Sequence, residues 1–154
     1  MKMLMMLIVV ITSAASILPQ SKNIETGLYL VAAKDSCSDQ NKNLVVYLSD
    51  TLCLMQKPVI TKGDIEYCET VKSKLDNNEV YALNIKLNAS AALKFKKVTE
   101  QNVGKMMAMI IDNKVVMAAV IRDPVTSGRL TISGQSEEET LRLGKMLEEE
   151  IHKK

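Results

Sequence analysis

Few residues in this chain have the type and spacing that catalysis requires. His152, the single histidine, stands beside the end of the sequence. A Ser–His–Asp triad, a Cys–His pair and a multi-histidine metal site all need a histidine that the fold holds firmly in place. The sequence therefore predicts no catalytic residue, no metal ligand and no bound cofactor.

The three cysteines, Cys37, Cys53 and Cys68, are spaced too widely for a CxxC redox motif or a zinc knuckle. Because their number is odd, at most one intramolecular disulfide forms and one thiol stays free. Two interpretations remain open, namely a single disulfide or small buried hydrophobic side chains. If a disulfide forms, Cys53–Cys68 is the favoured pair, because these two residues flank one short connection.

Three polar motifs have structural interpretations that outweigh the functional ones. Asn88-Ala89-Ser90 fits a glycosylation sequon, but it also fits the N-cap and first turn of a helix. The glutamates at 137–139 fall in the first turn of a helix, where carboxylates interact favourably with the helix dipole. Ser127-Gly128-Arg129 is typical of a turn in which the glycine adopts a positive φ angle. None of the three predicts an enzyme.

Composition and charge narrow the class of partner. Twenty Lys and Arg residues against eighteen Asp and Glu give a net charge of +2, which predicts no strongly basic face and no nucleic-acid partner. Hydrophobic residues make up 47% of the chain, the ordinary share for a globular protein rather than a disordered one. A length of 154 residues is enough for one domain with a real core.

The first residues have the pattern of a secretory signal peptide. Lys2 precedes an apolar run at residues 3–11, and small residues follow at 12–16. We predict cleavage after Ala15; an uncleaved N-terminal anchor is the alternative, and it would be the only contact with the membrane. The predicted location is the periplasm or another exported compartment, with inner-membrane anchoring if the segment is retained.

The predicted secondary structure consists of several strands and two main helices. Apolar patterns predict strands at 28–33, 44–48, 52–55, 80–87 and 130–133, and a hairpin at 106–121 with its turn at 112–114. Asn88 predicts the N-cap of a helix that ends near Asn102, and Ser136 opens a final helix with a capping box. Thr61 and Asp64 are candidate caps of a short helix from about Asp64. The predicted fold class is α+β, an antiparallel-dominated sheet with two main helices packed on one face.

Several ordered motifs give the chain a family resemblance. They are Val46-Tyr47-Leu48, Pro58-Val59-Ile60-Thr61-Lys62-Gly63-Asp64-Ile65, Ala92-Leu93-Lys94-Phe95, Thr99-Glu100-Gln101-Asn102-Val103-Gly104-Lys105, the hairpin from Met109 to Pro124, Ser127-Gly128-Arg129 and Ile132-Ser133-Gly134. With these motifs the chain resembles the head subdomain of the first periplasmic domain of SecD and SecDF. Those proteins are membrane subunits that assist the Sec protein-export channel.

The resemblance implies a SecD-head-like domain at residues 44–152, after a signal peptide at 1–15 and an N-terminal strand and polar loop at 16–43. It implies an exported, non-enzymatic binding module whose partner is unfolded polypeptide or an envelope protein. One alternative is an accessory protein that docks on the Sec translocase itself. A second and less favoured alternative is a small hydrolase-like enzyme. The transmembrane helices and basal subdomain of SecD have no counterpart in this sequence, so proton-driven export is not carried over.

Candidate contact residues for a polypeptide lie on the predicted hairpin and just after it. They are Met106, Met107, Met109, Met117, Arg122 and Arg129. Successive strand residues point to opposite faces, so Met106 and Met107 cannot both face the helices. Two alternatives stay open for the methionines, namely core filling on both faces or an apolar docking face for an unfolded chain.

Overall fold

The computed structural model describes residues 23–33, 37, 43–76 and 78–153. The predicted signal peptide at residues 1–15 lies outside the described residues. The strands in the described part are β1 Gly27–Leu30, β2 Asn43–Tyr47, β3 Asp50–Leu54, β4 Ile60–Thr61, β5 Ile65–Leu75, β6 Asn78–Leu87, β7 Met106–Ile111, β8 Lys114–Val120 and β9 Arg129–Ser133. The helices are α1 Ala89–Gln101 and α2 Glu137–His152, and a 3₁₀ turn lies at Lys62–Asp64. None of the described helices is long and apolar enough to cross a membrane.

β7 runs through the middle of the first sheet, whose strand order is β4-β1-β7-β8 with antiparallel pairing throughout. The sequence of β7 is MMAMII, and every residue after the first is buried. Because successive side chains point to opposite faces of a sheet, a strand that is apolar at every position must be covered on both sides.

Two separate cores cover the two faces of this sheet. On one face, Met107, Met109 and Ile111 pack in the main core together with residues of α1 and α2. On the other face, Ala108 and Ile110 pack in a smaller second core beneath the β2–β3 hairpin. The hairpin therefore acts as a cover for the side of the sheet that the helices leave open.

A third sheet, with strand order β5-β6-β9, supplies the rest of the main core. Its inner face buries Leu83, Ile85 and Ile132 against the helices. A Cβ atom at Gly144 of α2 would lie 2.8 Å from Oγ1 of Thr70, so the helix backbone rests directly on β5.

Local signals in the sequence place both helices and the β7–β8 turn. The side chains of Asn88 and Ser136 each accept a hydrogen bond from the backbone N–H three residues later, at 2.9 and 3.2 Å. Asp112 and Asn113 have φ angles of 47° and 62° in the turn. Both residue types tolerate this left-handed backbone, which lets a two-residue turn follow the twist of its strands without glycine. These three predictions are confirmed.

The predicted helix from about Asp64 is wrong. Thr61 and Asp64 do form a capping box, but it closes a single 3₁₀ turn and β5 follows immediately. β5 instead pairs with β6 over nearly its whole length, which satisfies its backbone groups in a ladder. The α+β class with its two main helices is confirmed, although the strands form three antiparallel groups rather than one sheet.

Gly27 lies where β1 and β4 approach each other closely. A Cβ atom there would overlap the carbonyl oxygen of Ile60 and lie 3.0 Å from Cβ of Pro58. We expect Gly27→Ala to push the strands apart and to lower the free energy of unfolding by about 1–3 kcal/mol, as overpacking does. Urea denaturation followed by circular dichroism measures this change. Gly63→Ala is the control, because its Cβ would meet nothing closer than 3.7 Å; equal losses in both variants would contradict the prediction.

Candidate functional site

Two of the predicted contact residues are buried in the structure. Met107 and Met109 are 4% and 1% exposed and belong to the main core. Met117 is half-buried against the same core, and Met106 is half-buried against the second core. Of the two alternatives for the methionines, the structure shows core filling on both faces, so Met107 and Met109 are not a docking face.

The two predicted arginine contacts are exposed but do not extend a methionine surface. Arg122 lies in the loop after β8, whereas Arg129 begins β9 on the outer face of the third sheet. Arg129 lines a shallow hollow there with Tyr67 and Lys86. Lys86 is already paired with Glu66 at 3.0 Å. A polypeptide contact at either arginine stays a prediction.

The predicted disulfide Cys53–Cys68 is wrong. Cys53 is bonded to Cys37, and Cys68 is a free, buried thiol. Sγ of Cys68 lies 3.7 Å from the carbonyl oxygen of Gly144, its hydrogen-bond acceptor on α2. Burial, assisted by the charge of Glu148, raises the pKa of this thiol to about 11. The thiol is therefore protonated at neutral pH and is a poor nucleophile.

Tyr29 is a second buried titratable group, and its role is also structural. Its hydroxyl donates a hydrogen bond of 2.8 Å to the carbonyl oxygen of Glu25. Burial, with a smaller contribution from the charge of Glu25, raises the pKa of the phenol to about 12. Within the described residues, no group of three or more His, Cys, Asp or Glu side chains could hold a metal ion.

An exposed apolar surface lies on β2 rather than on β7, where a docking face was one of the two alternatives for the methionines. Val45 and Tyr47 of this strand face the second core. Leu44 and Val46 point the other way and are 59% and 71% exposed, and Leu48 at the end of the strand is 86% exposed. We call Leu44, Val46 and Leu48 the apolar stripe.

The tip of the β2–β3 hairpin has a leucine where glycine is the usual residue. Tyr47 pairs with Asp50, so Leu48 and Ser49 form a two-residue turn. Leu48 has a φ angle of 55°, in the left-handed region that costs a residue with a Cβ atom roughly 1–2 kcal/mol. Neither burial nor backbone preference accounts for a leucine at this position, which makes it a candidate functional residue.

The strand that carries the apolar stripe has an unpaired edge. Within the described residues, β2 pairs with β3 only, and its sequence NLVVY contains no charge. Two other edge strands carry a charge, because β9 begins with Arg129 and β8 begins with Lys114. In β8, the carbonyl of Val116 also accepts a hydrogen bond of 3.3 Å from the side chain of Gln135. Charges of this kind normally hinder an edge from pairing with another chain, and the sequence of β2 itself contains none.

Sequence reasoning predicted the strand at 44–48 but missed its exposed face. The signal was present, since residues 44–48 are apolar on both faces although a hairpin at the surface needs only one apolar face. Which of the two faces is open depends on how the hairpin packs.

Comparison with known proteins decides the family. A family model described as "SecDF, P1 head subdomain" matches residues 40–150, a range that includes β2, α1 and all but the last two residues of α2. This chain belongs to the SecDF P1 head subdomain family.

Curated relatives of this SecDF head-family protein are subunits of a protein translocase. The translocase subunit SecD of Aquifex aeolicus is 44% identical over 75 residues, which are 48% of this chain and 14% of that protein. The translocase subunit SecDF of Thermus thermophilus is 33% identical over 79 residues, 51% of this chain and 10% of that protein. The chain thus spans a small part of the length of these relatives.

Solved structures of SecDF have the same fold as this head domain. One, of "a membrane component SecDF that enhances protein export", superposes with a TM-score of 0.58 at 23% identity and covers 80% of this chain and 62% of the other. A second, of SecDF in a "super-membrane-facing form", gives a TM-score of 0.57 at 22% identity and covers 80% of this chain and 18% of the other.

Proposed function

We propose that this protein is an exported, non-enzymatic binding module that contacts extended polypeptide in the periplasm or cell envelope. The observation that carries the proposal is the apolar stripe on a strand whose edge is unpaired and uncharged. An extended chain that adds to β2 would bond to the free backbone groups of the strand. Its alternate side chains would then lie against Leu44 and Val46, as in other complexes formed by strand addition.

Two further observations support this proposal. The relatives are named as protein translocase subunits, and a chain that has not yet folded exposes apolar segments. The buried groups with shifted pKa values, Cys68 and Tyr29, are shifted toward lower reactivity at neutral pH, which favours binding over catalysis.

Val46→Lys tests the proposal directly. We expect this variant to bind a reduced, carboxymethylated and permanently unfolded protein at least about tenfold more weakly than the parent chain. The reason is that Val46 would lose an apolar contact worth about 1.5–3 kcal/mol and place a charge on the pairing edge. Fluorescence anisotropy of the labelled unfolded protein measures the affinity.

Val120→Lys is the matched control, because Val120 is also an exposed valine on a strand, at 48% exposure, but lies outside the apolar stripe. It is expected to keep the parent affinity. Thermal denaturation of both variants confirms that neither substitution unfolds the domain. Unchanged affinity in Val46→Lys, or the same loss in both variants, would refute the proposal.

The competing function, an accessory that docks on the Sec translocase itself, predicts a different result. Capture from an envelope extract with the parent chain and with Val46→Lys separates the two. A heterogeneous set of unfolded proteins that is lost with Val46→Lys supports the proposal. One defined, folded partner that Val46→Lys still retains favours the accessory role.

A further inference from the structure

An open groove of about 800 Å³ lies between the end of β1, strand β3 and the connection from α1 to β7. Val31, Thr51, Met55, Asn102, Lys105 and Met106 are among the residues that line it. A volume of this size is typical of a site for a small molecule, roughly 300–1,000 Å³. The groove borders the apolar stripe, because Thr51 and Cys53 lie directly opposite Val46 and Leu44 across the β2–β3 hairpin.

The described walls of the groove are mostly apolar, and they carry one positive charge. Among the described residues that line it, Lys105 is the only charged side chain, and none is acidic. Its Nζ atom donates a hydrogen bond of 2.9 Å to Oδ1 of Asn102, which holds the ammonium group beside the apolar wall. Met55 and Met106 supply adaptable side chains that fit ligands of varied shape.

Several backbone N–H groups that line the groove already donate hydrogen bonds to carbonyl oxygens of the domain itself. The N–H groups of Val31 and Ala32 donate to the carbonyls of Met106 and Cys53 at 2.9 and 2.8 Å. The N–H of Gly104 likewise donates to a carbonyl at 2.8 Å. A peptide main chain laid in this groove would find few partners for its own polar groups, which is costly. An acyl chain has no such groups and needs no partners.

We propose that this groove binds a fatty acid, with the acyl chain against the apolar wall and the carboxylate paired with Lys105. The ammonium group of Lys105 favours an anionic headgroup, and the backbone groups that already have hydrogen-bond partners favour a hydrocarbon chain over a polypeptide. The groove adjoins the polypeptide contact on β2, but Lys105 lies on the connection from α1 to β7, so a substitution there tests the groove without changing β2.

Binding of 11-(dansylamino)undecanoic acid to the full chain, followed by dansyl fluorescence, tests the site. Laurate is expected to displace this probe at least about fivefold more effectively than dodecanol, which has the same chain length without the charge. Lys105→Gln is expected to remove that preference for laurate. Lys97→Gln, at an exposed lysine of α1 away from the groove, is expected to keep it.

Thr51→Trp tests the apolar part of the groove. Thr51 is exposed on β3 and lines the groove, so an indole there fills the space while strand propensity is retained. We expect at least about a tenfold loss of probe affinity with an unchanged melting temperature. Equal displacement by laurate and dodecanol, undiminished binding in Thr51→Trp, or displacement by an unfolded protein but not by laurate would each overturn the proposal.

Discussion

Phe95→Ala is expected to lower the free energy of unfolding by about 3–5 kcal/mol, the usual loss when a buried phenylalanine is truncated. Phe95 is the only phenylalanine of the chain and is 1% exposed, in the main core where α1 meets both large sheets. A loss of this size would consume much of the stability of an ordinary domain. Urea denaturation of the parent and the variant measures the difference. The free energy of unfolding must fall with urea concentration at the same slope in both, so that the shift in midpoint reports stability alone.

Leu93→Ala is the control for this prediction. Leu93 lies on the same helix two residues earlier, but it is 73% exposed, so its truncation is expected to change the free energy of unfolding by no more than about 0.5 kcal/mol. If Phe95→Ala cost as little as Leu93→Ala, the main core would not be where the structure places it.

Reduction of the Cys37–Cys53 disulfide is the second large expected effect. The bond joins residues 16 apart, and closing a loop of about that length stabilises a protein by roughly 3 kcal/mol. We therefore expect dithiothreitol to lower the free energy of unfolding by about 3 kcal/mol. Cys37→Ala is expected to lower it similarly and to make the protein insensitive to the reductant.

Cys68→Ala distinguishes this disulfide from the pair that the sequence favoured. Because Cys68 is a free thiol, the variant is expected to respond to dithiothreitol as the parent does. Peptide mapping under non-reducing conditions is expected to recover Cys37 and Cys53 in one linked fragment. A Cys68→Ala variant that no longer responds to the reductant would show that Cys68 takes part in the bond.

The parts of the fold that depend on neighbouring residues were predictable. Asn88 and Ser136 place both helix starts, because a side-chain oxygen that caps a helix acts within three residues. The turn at Asp112 and Asn113 is equally local. The motifs at residues 46–134 were sufficient to indicate the SecDF head family, which the family model then established.

β5 shows where local signals were insufficient. Thr61 and Asp64 form the capping box that a helix would use, yet the next residue already belongs to a strand. Residues 65–75 contain apolar residues at spacings that suit either a helix or a strand, and periodicity does not separate the two over so short a segment. Pairing with β6 decides in favour of the strand, because the long antiparallel ladder satisfies the backbone of both.

The sequence by itself determined the α+β class, the family and the helix starts. Only the tertiary structure decided which apolar residues are open to a partner. β2 and β7 are both strands rich in apolar residues, and alternation assigns two faces to each without saying what covers them. The helices cover Met107 and Met109 on one face of β7, and the β2–β3 hairpin covers Ala108 and Ile110 on the other, whereas Leu44 and Val46 on the outer face of β2 stay exposed. Cys37 and Cys53 meet for the same reason, since a disulfide requires two chain segments to be adjacent in space, and spacing in the sequence does not determine that.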